Sequence, residues 1–237
     1  MLPIPSASGN RGLSPLPPGQ REAGRFHRFG LWPYASRFPR HVATPSLDVV
    51  GAVERPLQLR DALSGLPRHE IRCDFHCVTT WSVRNLRWGG VRFVDFFEHV
   101  VQPQAAPAAT STVVALRGQD GARTGMHLSD LLAPDVLLAD TLDGAPLGID
   151  HGAPLRLVAP AHYGYKWAKH LSRIEFLPAD TLYRVAGWRF MDHPRARVAL
   201  EERGRVVPGW LLRYLYRPLI NPTAAHFARS HRRYQQR

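Results

Sequence analysis

Residues 142–171 read LDGAPLGIDHGAPLRLVAPAHYGYKWAKHL, and this stretch decides how the rest of the chain is read. Asp143-Gly144 spells a tight turn. The apolar run Leu155 to Ala159 reads as a core strand that Pro160 ends, because proline gives no N–H to a ladder. Around that strand lie Asp150, His151, Arg156, His162, Lys166 and Lys169. Glycines that allow close backbone approach, with donors at fixed offsets, suit an anionic ligand carrying a phosphate. An ordinary loop with exposed bases fits the same composition equally well.

Upstream, residues 72–82 read RCDFHCVTTWS. Cys77 falls at the end of an apolar strand over Ile71 to Val78, just before a turn-like Thr-Thr. Arg72, His76 and Arg84 are near in sequence and favour a thiolate if the fold brings them close. Cys73 sits four residues back, on the same face of a regular strand and about 13 Å away, too far for a disulfide. The plainer reading of Cys77 is a small buried hydrophobe. A zinc site has less support, since no second Cys or His pair has ligand spacing.

Outward from these two segments the elements mix without regular alternation. Strands are predicted at Leu47 to Val53, Ile71 to Val78, Thr112 to Gly118, Val136 to Leu142, Leu155 to Ala159 and Arg173 to Leu177. Helices are predicted at Gln58 to Gly65, at Val91 to Val101 with Pro103 as the stop, and at His127 to Ala133 with Ser129 as the cap. WLLRYLYRPLI, 210–220, reads as a helical docking segment ended by Pro218 and Pro222. That pattern is α+β. There is no internal repeat, no P-loop, no GxGxxG after a strand and no HExxH.

The predicted organisation has three parts. Residues 1–24, rich in Pro, Gly and Ser, form an arm, with order beginning near Arg25. Residues 25–177 form the body. Residues 178–237 form an extension docked through Trp188, Trp210, Leu211, Tyr214 and Leu215, with a solvated basic tail.

The 237 residues are 44% hydrophobic and 21% charged, which suits a packed core rather than a disordered chain. Two cysteines exclude a disulfide-dense scaffold. No run of about 18 apolar residues predicts a spanning helix. The first twenty residues lack the apolar centre of an export signal, so the cytoplasm is the expected compartment. A net charge of +12 invites a nucleic-acid reading. The bases are spread along the chain, however, and no helix-turn-helix, ribonucleoprotein or zinc-finger pattern places them.

HCVTTWS (76–82), NLRWGGVRF (85–93), LDGAPLGIDHGAPLRLVAP (142–160) and YGYKWAKHL (163–171) occur in the order and spacing of one family. From Phe26 to Leu177 the chain resembles the sulfite oxidase superfamily of molybdopterin-dependent oxidoreductases. The resemblance implies the mixed α+β molybdopterin-binding fold, without the immunoglobulin-like dimerisation domain that some members carry. It implies a molybdenum–molybdopterin cofactor with Cys77 as the metal ligand, a soft thiolate being the right donor. It places His151 and Arg156 on the pterin and its phosphate, with Lys169, the Trp167 and Ala168 backbone, and Lys166 alongside. His27 and Arg28, within FHRFG, fall in an N-terminal segment that also touches the cofactor.

The paired arginines that follow the ligand cysteine in sulfite oxidases are missing. The Cys-Val-x-x-Trp-Ser pattern is more similar to the methionine sulfoxide reductase branch, while His151-Gly152 is more similar to the sulfite oxidase branch. The implied activity is oxygen-atom transfer to or from a small sulfur- or nitrogen-centred substrate. Arg84 is the candidate for orienting substrate and Trp81 for walling the pocket. A separate electron carrier, a cytochrome or a quinone-linked protein, is the expected partner. The competing expectation is a non-catalytic anion- or nucleic-acid-binding protein on the same scaffold.

Overall fold

A computed structural model describes residues 15–179 and 192–236. Its centre is a hairpin of β4 (His69–His76) and β5 (Trp81–Arg92), whose turn carries Cys77. The twelve-residue β5 is long enough to serve several partners. It pairs antiparallel with β8 (Leu137–Leu142), and β8 pairs in turn with β10 (Arg156–Val158). The short β9 (Ala145–Pro146) closes a hairpin on β8 across the predicted Asp143-Gly144 turn. A second sheet runs β3 (Leu57–Arg60), β2 (Ser46–Gly51), β11 (Leu171–Pro178), β6 (Ser111–Gly118) and β7 (Arg123–His127). Few helices accompany these two mixed sheets, and the class is α+β.

Hydrophobic burial joins the sheets. Leu47, Val49, Leu116, Ile174 and Phe176 from one, and Val91, Leu137, Leu138 and Leu157 from the other, belong to a single apolar cluster. All three residues of β10 are buried, which is why its sequence shows an unbroken run instead of alternation. Arg156 enters that buried strand at its first position.

Several predicted elements differ. Gln58 to Gly65 is not a helix. Leu57–Arg60 is an edge strand on β2, because alternate residues Leu57 and Leu59 pack on the core. The helix α1 (Phe93–Phe96) continues through wider π-type turns over Phe97–Ala105, so Pro103 lies inside the helical run and the left-handed Ala106 ends it. α2 (Leu128–Leu131) starts after an extended His127, and Ser129 is inside it rather than its cap. A bulge falls between Cys73 and Phe75, so the strand leading to Cys77 is not regular, and both cysteines are free.

Order begins before Arg25. β1 (Arg21–Glu22) pairs parallel with the start of β5, and Gln20 is buried. The C-terminal region holds α3 (Gly209–Tyr216) and α4 (Ile220–Gln235), joined by a single turn at Arg217–Leu219. Pro222 therefore stops nothing: it sits in the first turn of α4, where the missing N–H has no intrahelical partner to lose. The basic end is helical to Gln235 instead of a loose tail. The docking residues are also different. Trp210, Leu211, Tyr214 and Leu215 are exposed, whereas Leu212, Tyr216 and Phe227 are buried. Trp188 lies outside the described residues.

Candidate active site

Cys77 closes the β4–β5 hairpin. Its N–H donates to Trp81 O at 2.8 Å, and its own carbonyl accepts from Thr80 N at 3.1 Å. The tightness of that turn forces Thr80, a β-branched residue, to φ +82°. The arm reinforces the turn from outside: Gln20 Nε2 donates to Cys77 O, and Ser82 Oγ donates to Gln20 Oε1 at 2.9 Å. With its proton committed there, Ser82 Oγ accepts from His76 Nδ1–H, 2.8 Å away.

The thiol itself is buried, 7% exposed, with Thr79 Oγ1 at 3.1 Å. Burial pushes its pKa up; the Thr79 hydrogen bonds and the charges of Arg203 and Lys169 pull it down. The cations with the largest effect on Cys77 are thus Arg203 and Lys169, not its sequence neighbours Arg72, His76 and Arg84. Arg84 Nε lies 3.2 Å from Glu22 of the arm.

The loop ahead of β10 and the one after it bring the downstream bases together. Gly152, at φ +110°, lets them meet: a Cβ there would stand 3.1 Å from Arg156 Cβ and 3.3 Å from Lys169 Cα. Arg156 is 2% exposed, held at Nη1 by His151 O at 2.8 Å and flanked by the faces of Trp88 and Trp167. Burial lowers its pKa to about 9. Lys169 donates to Phe29 O at 2.9 Å, and burial together with Arg156 and Arg28 lowers it to about 8. The His151 ring stacks on Phe26 at 4.5 Å, and burial with Arg156 beside it lowers its pKa to about 4. It is neutral at physiological pH.

Arg28 completes the cluster. It donates to Ala35 O and Arg37 O and lies 3.6 Å from Asp150 Oδ1. His27 stands apart, its ring edge-on to Trp81 and its Nδ1 accepting from Arg25 Nε. Lys166 faces elsewhere: its buried ammonium donates to Gly125 O and to Asp192 Oδ1 at 3.0 Å.

A cavity of about 190 Å³ is walled by Arg28, Phe29, Trp167, Ala168, Lys169 and Phe227, among others. Val78 also lines it, so the turn that carries Cys77 reaches the wall, while Cys77, His151 and Arg156 are not themselves lining residues. Trp81 is 4% exposed and packs edge-on against Phe29, a core role.

Sequence reasoning missed Arg203. It is fully buried, donates to Val78 O at 2.6 Å and Pro18 O at 2.9 Å, and lies over the ring of buried Tyr163. Nothing in ERGRVV (202–207) sets Arg203 apart from the exposed Arg205. Thr79 had a signal, its position two residues beyond the cysteine in a predicted turn.

Residues 36–183 match the model of the oxidoreductase molybdopterin binding domain. The chain belongs to that family. It is 39% identical over 132 residues to the uncharacterised oxidoreductase YuiH of Bacillus subtilis, covering 55% of this chain and 64% of YuiH. It is 29% identical over 226 residues to the protein-methionine-sulfoxide reductase catalytic subunit MsrP of Gluconobacter oxydans, covering 82% and 71%. Human mitochondrial sulfite oxidase is 29% identical over 188 residues, 65% of this chain and 33% of that one. The sulfane dehydrogenase SoxCD of Paracoccus pantotrophus shares the fold, with TM-score 0.51 and 22% identity over 64% of this chain and 43% of the SoxCD chain.

The family's cofactor is a molybdopterin, and the residues suit it. Burial lowers the pKa of Arg28, Arg156 and Lys169, and the charges of Arg156 and Arg28 lower that of Lys169 further, a crowding of cations that suits an anionic group. Among the described residues Arg156 Nε is buried with no hydrogen-bond partner, a donor left over for a phosphate. Cys77, a buried thiol on which the charge of Lys169 acts, supplies a soft donor.

Proposed function

We propose that this chain is a molybdenum-dependent oxidoreductase that moves an oxygen atom to or from a small sulfur- or nitrogen-centred substrate. Cys77 is the metal ligand, and His151, Arg156, Lys169 and Arg28 grip the pterin and its phosphate, with the Trp167 and Ala168 backbone beside them. The observation that carries this reading is the placement of one buried thiol within the field of Lys169, a member of a cation cluster with a spare guanidinium donor. When bound, the cofactor supplies the two-electron redox chemistry and the site of oxygen exchange.

The chain's own residues do the rest. A metal ligand must be a thiolate, so Cys77 gives up its proton on binding. Thr79 Oγ then donates to the sulfur, and Arg203 and Lys169 offset its charge. Gln20 and Arg203 hold the carbonyls of Cys77 and Val78, fixing the turn against both sides. Phe29, Trp167 and Phe227 exclude water from the cavity, which strengthens charge interactions inside it. Arg84, held by Glu22, orients no substrate in this reading. Lys166 positions Asp192 at the cavity wall instead of touching the pterin. The electrons pass to or from a separate carrier, for which the chain's net charge of +12 favours an acidic docking face.

The test is metal analysis and ultraviolet–visible spectroscopy of wild type and Cys77→Ser, both made in a cell that synthesises the cofactor. Wild type should carry near-stoichiometric molybdenum with a thiolate-to-metal band. The serine variant should lose the band and most of the metal while keeping its circular dichroism. Assays on sulfite, sulfoxides and N-oxides then identify the substrate. A serine variant with full metal and full turnover defeats the assignment, and a metal-free wild type that binds DNA in a salt-sensitive way supports the non-catalytic reading.

A further inference from the structure

The helix α3 is apolar almost all round: GWLLRYLY contains one charged residue. A helix of that kind belongs in a core or against another apolar phase. Here only one side is covered. Leu212 and Tyr216 are buried, while Trp210, Tyr214 and Leu215 are 55%, 57% and 59% exposed. At helical spacing Trp210, Tyr214, Leu211 and Leu215 fall within an arc of about 140° that faces away from the protein. Val206 before the helix and Leu219 after it are exposed too.

The charge around this face is mostly positive, with Glu201, 3.9 Å from Arg213 Nε, as an acid at its base. From Arg203 to Arg237 the chain has eight arginines and no Asp or Glu. Arg205, Arg229, Arg232 and Arg233 are exposed, and the guanidinium groups of Arg213 and Arg217 lie 5.5 Å from the Tyr214 ring. Among the described residues no helix is long and apolar enough to cross a membrane. Trp, Tyr and Leu projecting from a short helix, with arginines at their edge, match the chemistry of the boundary between anionic headgroups and acyl chains. A second copy fits less well, since two such faces would set arginine against arginine, with Glu201, already beside Arg213 and Arg203, as the acid near them.

We propose that the exposed face of α3, with the arginines of α3 and α4, docks this protein peripherally on an anionic lipid bilayer. The aromatic and leucine side chains enter the headgroup region, and the guanidinium groups bind lipid phosphates. This holds whatever the substrate of the oxidoreductase site.

The test uses the full chain with vesicles of phosphatidylcholine alone and with about 30 mol% phosphatidylglycerol added. Wild type should co-sediment with the anionic vesicles at least tenfold more strongly than with the neutral ones. The difference should shrink at about 0.5 M salt, where the Debye length falls to a few ångströms. Trp210→Ser with Leu215→Ser should cut anionic binding at least tenfold with an unchanged circular dichroism spectrum. Arg232→Glu with Arg233→Glu should cut it while the neutral-vesicle signal stays flat. Absence of vesicle binding by wild type, or equal binding by the serine variant, overturns the proposal. So does a concentration-dependent dimer that the serine variant abolishes, which assigns the face to a second copy.

Discussion

His231 Nδ1 lies 2.5 Å from Asp150 Oδ1, so the last helix is fastened to the loop that precedes Arg156. The same carboxylate stands 3.6 Å from Arg28 Nε. One acid therefore joins three pieces of chain that are far apart in sequence: the FHRFG segment, the ligand loop and α4. Phe227 adds an apolar contact at the same junction, its ring stacked over Phe29 and under the Arg28 guanidinium.

Asp150→Asn should loosen that junction without unfolding the body. A partly exposed pair contributes up to about 1 kcal/mol, so global stability should fall by no more than that. The local effect should be larger. Hydrogen exchange of α4 should speed up while β5 and β11 keep their protection, because those strands share no contact with the pair. Uniform acceleration across both sheets would show that Asp150 serves the whole fold instead.

Arg156→Met should separate stability from cofactor retention. In the cofactor-free protein Arg156 is a buried cation whose ionisation burial opposes, lying beside Lys169. Replacing it with an apolar chain of similar length removes that penalty, and the cofactor-free protein should gain about 1–3 kcal/mol in urea unfolding. Pterin retention should fall at least tenfold as a charge-assisted phosphate contact is lost. If the cofactor-free variant is instead less stable, the Arg156 hydrogen bond to His151 O outweighs the buried charge.

Buried histidines shape the pH profile of the cofactor-free protein, and His170, like His151, is one of the most strongly shifted. It is 1% exposed, its Nδ1–H donates to Ala153 O at 2.7 Å, and burial lowers its pKa to about 4. The unfolded chain takes up that proton near pH 6.5 and the folded one only near 4. Stability is therefore complete above about pH 6.5 and declines as the pH falls towards 4. Unfolding midpoints measured across that window should drop for wild type and less steeply for His170→Gln. Parallel profiles for the two would remove His170 as the cause.

Much of the fold was legible because its signals are local. β6, β8 and β10 show as apolar runs, and Asp143-Gly144 marks its hairpin. The helix predicted at Gln58 to Gly65 failed because pairing with β2 decides an edge strand, and pairing partners are not written locally. Pro103 and Pro222 read as stops in the sequence, yet wider turns absorb one and a helix start accommodates the other. At the candidate site, the motifs nominate Cys77, His151, Arg156 and Lys169. Arg203, Gln20 and Phe227 carry no motif; only the folded chain brings residues from both ends onto the same turn.

Gly164→Ala tests the packing that backs that turn. Gly164 N–H donates to His76 O at 2.8 Å, pressing the YGYK loop against the end of β4. A Cβ on Gly164 would stand 2.1 Å from Phe75 Cζ. Phe75 has little room to yield, with Phe26 at 4.8 Å, Trp167 at 5.2 Å and Trp81 at 5.3 Å between ring centres. The alanine should cost about 1–3 kcal/mol as overpacking. Phe75→Leu alone opens a small void and should also destabilise. Combined, each substitution relieves the other, so the double variant should be more stable than the sum of the two losses predicts, with coupling of about 1 kcal/mol or more. Strict additivity would mean that the loop shifts away as a unit and that the close approach of Gly164 to Phe75 does not hold the cysteine turn in place.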